Sequence, residues 1–225
     1  KGIMDTPGFI IEILLPALLT GLVVTLQLIV VSAPFGLLAG IGVAVGRTYG
    51  GKVPSFLCKV FVMFVKGCPL LLLLFILYFT LPSIGIVFSA FEASVIGFIM
   101  CNAAYNSEYI RGAIKSVKEG QIIAARSLGM TKYQSIFYIV LPQALRRAIP
   151  GLSNEFIYLI KYSSLAFMLT LVELTGAGKM VATKYFTYTE TFIFVGAIYL
   201  VLVTITTVGA GMIEKKFAVP GTQGH

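Results

Sequence analysis

Residues 108–150 read EYIRGAIKSVKEGQIIAARSLGMTKYQSIFYIVLPQALRRAIP and form the longest polar stretch of an otherwise apolar chain. Within it, Ile122, Ala125 and Leu128 recur at helical spacing and are followed at once by Gly129. A flexible connector would not need apolar residues at helical spacing. The stretch therefore predicts a folded loop that docks on a partner protein.

The rest of the chain has the composition of an integral membrane protein. Its 225 residues are 58% hydrophobic and only 12% charged, whereas a soluble domain has about 25% charged residues. Backbone amides in a bilayer must be paired within the chain, which allows only helical bundles or closed barrels. The apolar stretches are about twenty residues long and lack the alternation of barrel strands. The predicted fold class is an all-α, polytopic membrane helical bundle, with residues 1–225 as a single transmembrane domain.

Five transmembrane helices are predicted from the apolar stretches. They cover residues 18–45, 60–79, 93–114, 152–172 and 191–213. Pro34 and Pro69 are expected to bend the first two of these spans, because proline lacks the backbone N–H that a helix interior needs. Five spans enclose a poor pathway on their own, so the chain is expected to work as an oligomer, either a homodimer or a heterodimer with a similar chain.

The segment between the third and fourth spans contains the docking loop, residues 115–142. Its first helix is predicted to end at Gly129, where glycine suits the left-handed cap conformation. Thr131 is predicted to cap a second helix, which Leu141 and Pro142 then end. Two short helices at an angle would fit a groove of a partner.

The basic residues predict the orientation of the chain. Those expected on the loop side are Arg47, Lys52, the docking loop, Lys215 and Lys216, whereas Lys1, Lys179 and Lys184 fall on the other side. Cytoplasmic segments carry the excess of Lys and Arg. The docking loop and the C-terminus are therefore predicted to be cytoplasmic and the N-terminus outside. This bias explains the net charge of +8, so the charge does not require a nucleic-acid partner.

Several motifs resemble those of one transporter family. Ala124-Ala125, Gly129 and Leu141-Pro142 match the EAA loop of ABC importer permeases, which docks on the ATPase subunit. Segments 66–69, 108–112 and 154–165 resemble the Arg-Gly-Thr-Pro, Glu-x-x-Arg-Gly and Asn-x-x-x-x-Leu-x-Lys-Asp-Thr-Ser-Leu patterns of polar amino acid importers of the histidine, glutamine and arginine type. Two positions depart from the patterns: Ile123 replaces the Glu of the EAA motif, and Tyr162 replaces the Asp of the last pattern.

The resemblance implies a multi-pass permease subunit of a prokaryotic cell membrane, which moves a polar amino acid inward by alternating access. The implied partners are a dimer of ABC ATPase subunits, a second permease subunit, an extracytoplasmic substrate-binding protein and membrane lipid. ATP and Mg²⁺ would bind to the ATPase subunits, because the sequence has no Gly-x-x-x-x-Gly-Lys-Ser/Thr loop. The expected ATPase contacts are Gln121, Ala124, Ala125, Arg126, Leu128 and Gly129.

Two stripes of polar side chains in the third and fourth spans are candidates for the substrate site. They contain Asn102, Tyr105, Asn106, Asn154, Glu155, Tyr158, Lys161 and Tyr162. Ionisable residues in a membrane are costly and usually face a cavity or a partner. We expect Lys161 to neutralise a substrate carboxylate and Glu155 to bind the amino group. Alternatively, Glu155 and Lys161 pair with each other or bridge a dimer interface.

Other functional classes find less support in the sequence. A channel or ion-coupled carrier is the main alternative, and it would work without an ATPase. No clustered His, Asp or Glu residues in the spans suggest a catalytic site, and no metal site is expected. Cys58, Cys68 and Cys101 are widely spaced in apolar surroundings, which is typical of small buried side chains. Glu108 and Arg111, one helical turn apart, are expected to form a local ion pair.

Overall fold

A computed structural model describes residues 7–217, and within this range the chain is helical with no β-strand. The α-helices are α1 (Leu15–Tyr49), α2 (Lys52–Gly67), α3 (Leu70–Phe75), α4 (Ala90–Ser116), α5 (Glu119–Ser127), α6 (Lys132–Gln134), α7 (Leu141–Tyr162), α8 (Leu174–Tyr185) and α9 (Tyr188–Phe217). A short turn, Pro7–Phe9, and a π-helical segment, Ile10–Leu14, precede α1. The chain ends, whose sides of the membrane were predicted, lie outside the described residues.

Two long helices could each cross a membrane alone: Ile10–Tyr49 and Tyr188–Phe217. Two bent pairs, Lys52–Gly67 with Leu70–Ile84 and Lys132–Leu169 with Leu174–Tyr185, are apolar enough to count as two further crossings if each pair forms one span. At 27 residues, α4 is about 40 Å long and could span a bilayer, but it is more polar than the others. The all-α membrane fold is confirmed, whereas the count of five spans stays approximate.

The contact between α1 and α4 forms the centre of the bundle. One face of α1 carries small buried residues at four-residue intervals: Ser32, Gly36, Gly40 and Ala44. A Cβ added at Gly36 would lie 2.6 Å from Oδ1 of Asn102, and one added at Gly40 would lie 2.8 Å from Cβ of Asn106. Small residues of this kind allow two membrane helices to approach closely. The stripe on α1 therefore holds the polar face of α4 away from lipid.

The second predicted span is not one helix. The chain bends by 105° between α2 and α3, so the kink expected at Pro69 is confirmed but is larger than a bend within one span. Cys68 has an extended backbone with φ −93° and ψ 128°, which is the conformation favoured before proline. Segments Ile76–Thr80 and Leu81–Ile84 continue α3 in π-helical and 3₁₀ form.

Pro142 does not end the helix after the docking loop, so that prediction is wrong. The chain stays helical from α6 through a π-helical segment, Ser135–Val140, into α7, and Pro142 occupies the first turn of α7. The wider π-helical turn precedes it and lets the helix continue.

The fourth predicted span, residues 152–172, also differs from the structure. Helix α7 begins at Leu141 and ends at Tyr162, and a 3₁₀ segment, Ser163–Leu169, follows. The next segment, 173–190, forms α8 and the start of α9. Glu173 is fully buried at the beginning of α8. This end of the bundle is therefore a packed structure.

Candidate functional site

A cavity of about 380 Å³ lies at the break between α2 and α3. Residues 65–70 form one wall, and Cys101 and Tyr105 of α4 with Tyr162 of α7 form the others. The bend at Pro69 creates this space because neither helix continues through it. Two of the segments that resembled importer motifs, 66–69 and 154–165, thus meet at one cavity that is large enough for a small polar molecule.

A lysine and two tyrosines give this cavity its polar groups. Nζ of Lys66 lies 5.4 Å from the centroid of the Tyr105 ring and 3.9 Å from Oε1 of Glu108. The Tyr162 ring stacks on Tyr158 at a centroid distance of 5.9 Å. An ammonium group and phenol hydroxyls can bind a carboxylate and a neighbouring polar group. The cavity is therefore suited to a small ligand with an anionic end.

Glu108 links three helices on one side of this cavity. Its carboxylate accepts a 2.8 Å hydrogen bond from Nη1 of Arg47 in α1 and a 2.8 Å bond from Nη2 of Arg111. The predicted pair of Glu108 with Arg111 is confirmed, and Arg47 and Lys66 complete a network that we call the Glu108 network. Because these hydrogen bonds join charged groups, they are stronger than neutral ones. The network ties α1, α2 and α4 together.

Glu155 is buried in the bundle, with 2% of its surface exposed. None of the described residues makes a hydrogen bond to its Oε1. It lies seven residues, about two helical turns, before Tyr162 and therefore on the same face of α7, so it is near the cavity although it is not one of the lining residues. A buried carboxylate oxygen without a partner is costly and usually has a functional reason.

The structure separates Lys161 from Glu155. Within residues 7–217 no salt bridge joins them, and Lys161 lines a different cavity of about 580 Å³ together with Thr175 and Tyr199. Its Nζ lies 5.3 Å from the centroid of the Tyr158 ring. The alternative of a direct Glu155–Lys161 pair within the chain therefore does not match the geometry, because the two side chains leave α7 in different directions.

The remaining candidates fall into two further groups. Asn102 and Asn106 are buried against α1 and hydrogen-bond to each other at 2.6 Å, from Nδ2 of Asn106 to Oδ1 of Asn102. Asn154 and Tyr158 are on the exposed face of α7. Of the eight candidates, the structure brings only Tyr105 and Tyr162 into the cavity at the break, with Glu155 close by. Helical periodicity alone could not separate the residues of these two stripes into groups, because it does not show which neighbouring helix each residue contacts.

The docking loop is folded as two helices joined by a tight turn. Gly129 has φ +84°, its N–H bonds to the carbonyl of Arg126, and the N–H of Met130 bonds to that of Ala125. This pair of bonds is the Schellman motif that ends helices at glycine. Thr131 caps the next helix in a capping box with Gln134. The predicted turn at Gly129 and cap at Thr131 are both confirmed.

Among the six expected ATPase contacts in the docking loop, one is buried and the others are exposed. Ala125 is buried, while the other expected contacts, Gln121, Ala124, Arg126, Leu128 and Gly129, are exposed. Leu128 is 85% exposed and Tyr133 is 73% exposed. Leu128 and Tyr133 lie on either side of the turn at Gly129, and large exposed apolar side chains of this kind mark interaction sites. Ala125 therefore anchors α5, and the opposite side is available to a partner.

Hydrogen bonds from Lys132 and Arg147 join the docking loop, and the helix that follows it, to the rest of the bundle. Nζ of Lys132 donates a 3.1 Å bond to the carbonyl of Tyr49 at the end of α1. Arg147 donates to the carbonyl and the hydroxyl of Ser116 at the end of α4. Cations bonded to the last carbonyls of a helix also interact favourably with its dipole. A force on the loop would thus reach both α1 and α4.

Comparison with known proteins agrees with this architecture. Residues 32–219 match the family described as binding-protein-dependent transport system inner membrane component. The chain is 39% identical over 203 residues to the probable amino-acid ABC transporter permease protein YckA of Bacillus subtilis, covering 90% of each chain. It is 34% identical to the probable glutamine ABC transporter permease protein GlnM of the same organism, over 85% of this chain and 89% of that one. The crystal structure of an amino acid ABC transporter with histidines superposes with a TM-score of 0.82 at 31% identity, covering 90% of this chain and 94% of that one.

The chain belongs to the family of inner membrane components of binding-protein-dependent transport systems. It is a multi-pass membrane permease subunit of an ABC importer, as the resemblance implied. Such a subunit works with ATPase and substrate-binding protein partners, and ATP hydrolysis belongs to the ATPase. Neither this family nor these relatives support the alternative of a channel or an ion-coupled carrier.

Three important groups were not assigned a role from the sequence. Lys66 and Cys101 line the cavity at the break, although only the motif around Lys66 had been singled out. Glu173 accepts bonds from the N–H groups of Thr175 and Gly176, and from the hydroxyl of Tyr199. The signal for Lys66 was a charge next to Gly67 and Pro69 within an apolar run. For Glu173 the signal was weaker: it is an acidic residue at the position where a helix begins, and its side chain caps that helix.

Proposed function

We propose that the chain carries a polar amino acid inward through the cavity at the α2–α3 break. The observation that supports this most is the meeting of Lys66, Tyr105 and Tyr162 at one cavity. Lys66 would neutralise the substrate carboxylate, and the phenol groups would contact the rest of the molecule. The relatives named as amino acid and glutamine permeases support this substrate class.

Glu155 is proposed to bind the amino group of the substrate in an intermediate state. Its buried carboxylate has an oxygen without a partner among the described residues, and an ammonium group would satisfy it. Lys161, Tyr158 and Asn154 are proposed to contact the substrate on the exposed side of α7, where a second permease subunit would complete the pathway. Asn102 and Asn106, which pack against α1, are proposed to fix the position of α4 and so to position Tyr105 in the cavity.

Transport is proposed to follow alternating access. Two ATPase subunits, which bind ATP and Mg²⁺, would push on the docking loop through Leu128 and Gly129 as they close. Lys132 and Arg147 would pass this movement to α1 and α4, because both are hydrogen-bonded to the ends of those helices. We propose that the docking loop and the C-terminus are cytoplasmic and the N-terminus is outside, on the basis of the positive-inside rule.

Uptake by reconstituted complexes tests the proposed substrate cavity. Lys66→Gln should raise the KM for the amino acid by about tenfold, since one charge-assisted contact stabilises binding by about 1.5 kcal/mol or more. Lys179→Gln is the matched control, because Nζ of Lys179 also lies over a tyrosine ring, 5.0 Å from the centroid of Tyr188, but outside this cavity. If only Lys161→Gln raised the KM, the substrate would bind in the cavity beside α9 instead.

ATPase stimulation tests the substrate class. Binding proteins loaded with polar amino acids should stimulate hydrolysis by the assembled transporter, and those loaded with sugars or peptides should not. Equal stimulation by every cargo, or stimulation by sugar alone, would contradict the proposal of an amino acid importer while leaving family membership intact.

A further inference from the structure

An apolar groove of about 440 Å³ lies between α7 and α9. Leu152 and Phe156 of α7 form one wall, and Gly209, Ala210 and Ile213 of α9 form the other. The glycine and alanine leave space between the two helices that large side chains would fill. Nothing in the proposed transport cycle uses this groove.

A second cavity, of about 750 Å³, adjoins the groove at the loop end of the bundle. Ile149 lines both spaces, and Ile213 of the groove is followed directly by Glu214 and Lys215 of the cavity. The apolar stretch of α9 ends at this point in the sequence. The groove therefore lies at the depth of lipid tails, and the cavity lies at the depth of lipid headgroups.

The cavity carries an excess of positive charge. Arg146, Arg147 and Lys215 line it, together with the acidic residues Glu108 and Glu214. Glu108 is already bound by two arginines in the Glu108 network. Three cations thus face one further carboxylate. A basic pocket between helices on the cytoplasmic side favours an anionic headgroup.

We propose that the groove and the cavity together bind one anionic phospholipid of the cytoplasmic leaflet. The phosphate would lie between Arg146 and Lys215, and an acyl chain would follow the groove past Gly209 toward Phe156. Ile149 to Phe156 is seven residues, or about 10 Å along α7, which matches the outer part of an acyl chain. A soluble phosphate would need only the basic cavity. The apolar groove beside it, which shares Ile149 with the cavity, favours a lipid.

Lipid retention tests this proposal on the full permease assembled with its ATPase. The complex is mixed with equal amounts of phosphatidylglycerol and phosphatidylcholine in detergent, and bound lipids are counted by native mass spectrometry. The Arg146→Gln/Lys215→Gln variant should retain at least fivefold less phosphatidylglycerol, since each basic residue near the headgroups contributes about that factor. Lys52→Gln, an exposed lysine that lines neither space, should retain the normal amount.

A second pair of variants tests the groove itself. A Cβ added at Gly209 or at Gly211 meets no atom within 4 Å, so leucine at either position should fold. Only Gly209 lines the groove. Gly209→Leu should therefore lower phosphatidylglycerol retention severalfold, while Gly211→Leu should not. Added glycerol 1-phosphate should not displace the lipid from the original protein, because it cannot fill the groove.

Several results would overturn the proposal. Equal retention of phosphatidylcholine, or an equal loss in the Lys52→Gln control, would remove the role of the basic cavity. Normal lipid retention in Gly209→Leu would remove the role of the groove. Displacement by glycerol 1-phosphate would leave an anion site only. Loss of permease dimers in Gly209→Leu, without loss of lipid, would show that a second copy of the chain covers the groove.

Discussion

Replacement of Glu173 by alanine is expected to destabilise the end of the bundle where α8 begins. The carboxylate is fully buried and accepts hydrogen bonds from the N–H groups of Thr175 and Gly176, each at 2.9 Å. Tyr199 of α9 donates at 3.0 Å, and Thr25 of α1 donates at 3.4 Å. One side chain therefore caps α8 and joins it to both of the longest helices.

The magnitude follows from the partners that would be lost. Tyr199 retains a neighbour in Oγ1 of Thr175 at 3.2 Å, and Oγ1 of Thr25 still accepts from the N–H of Leu174. The main loss is thus the two backbone N–H groups at the start of α8, each of which costs about 1–3 kcal/mol when buried without a partner. We expect Glu173→Ala to lower the free energy of unfolding by about 3 kcal/mol. For a chain of this size that is a fall in Tm of about 6–12 °C.

Thermal unfolding of the detergent-purified protein measures this effect. The chain contains no Trp, so unfolding is followed by circular dichroism and by a thiol dye that reacts when buried Cys101 becomes accessible. Glu173→Gln keeps one carbonyl acceptor and should lose about half as much stability. Glu190→Ala is the control, since Glu190 is exposed in the first turn of α9. If Glu173→Ala and Glu190→Ala unfolded at the same temperature, the inferred role of Glu173 would be wrong.

Three other substitutions test the docking loop and the helix contacts. Gly129→Ala should cost about 1–2 kcal/mol because its φ of +84° is unfavourable for any residue with a Cβ, and it should weaken ATPase binding in a pull-down. Gly36→Ala should lower Tm by several degrees, because the added Cβ would lie 2.6 Å from Oδ1 of Asn102 and overpacking costs about 1–3 kcal/mol. Glu108→Ala should lower the free energy of unfolding by about 2 kcal/mol, since it leaves two partly buried arginines without their acceptor.

Each of these substitutions has a control in the same chain. Gly120→Ala lies in α5, with open space and no positive φ, and should leave ATPase binding unchanged. Gly42→Ala lies on the exposed side of α1 with no atom within 4 Å, so Tm should not fall. Glu119→Ala, exposed in the first turn of α5, should change stability by only a few tenths of a kcal/mol. If a variant and its control gave the same ATPase binding, Tm or free energy of unfolding, the role inferred for that residue would be wrong.

Local features of the sequence were sufficient for the docking loop. Gly129, Thr131 and the spacing around Ala125 specify a turn, a cap and a buried position through interactions within about ten residues. The Glu108–Arg111 pair is local in the same way. By contrast, Pro142 was misread because a proline can either end a helix or begin one, and the π-helical turn that decided between these is not visible in composition.

The cavity at the α2–α3 break depended on contacts between distant segments. The sequence indicated that α4 and α7 carry polar stripes, but it could not show that Asn102 faces the glycines of α1 while Tyr105 faces a cavity. These two residues are only three positions apart. Lys161 and Tyr162 are adjacent, yet they line different cavities.

Hydrophobic content, charge bias and short-range motifs by themselves determined that this protein is a helical membrane protein with a folded docking loop, because backbone pairing in lipid and helix capping depend on local chemistry. Only the tertiary structure decided which polar residues share a cavity, how Glu173 joins α1, α8 and α9, and where a basic pocket meets an apolar groove. These features depend on the rotation and close approach of helices that are far apart in the sequence, and small residues such as Gly36 control that approach.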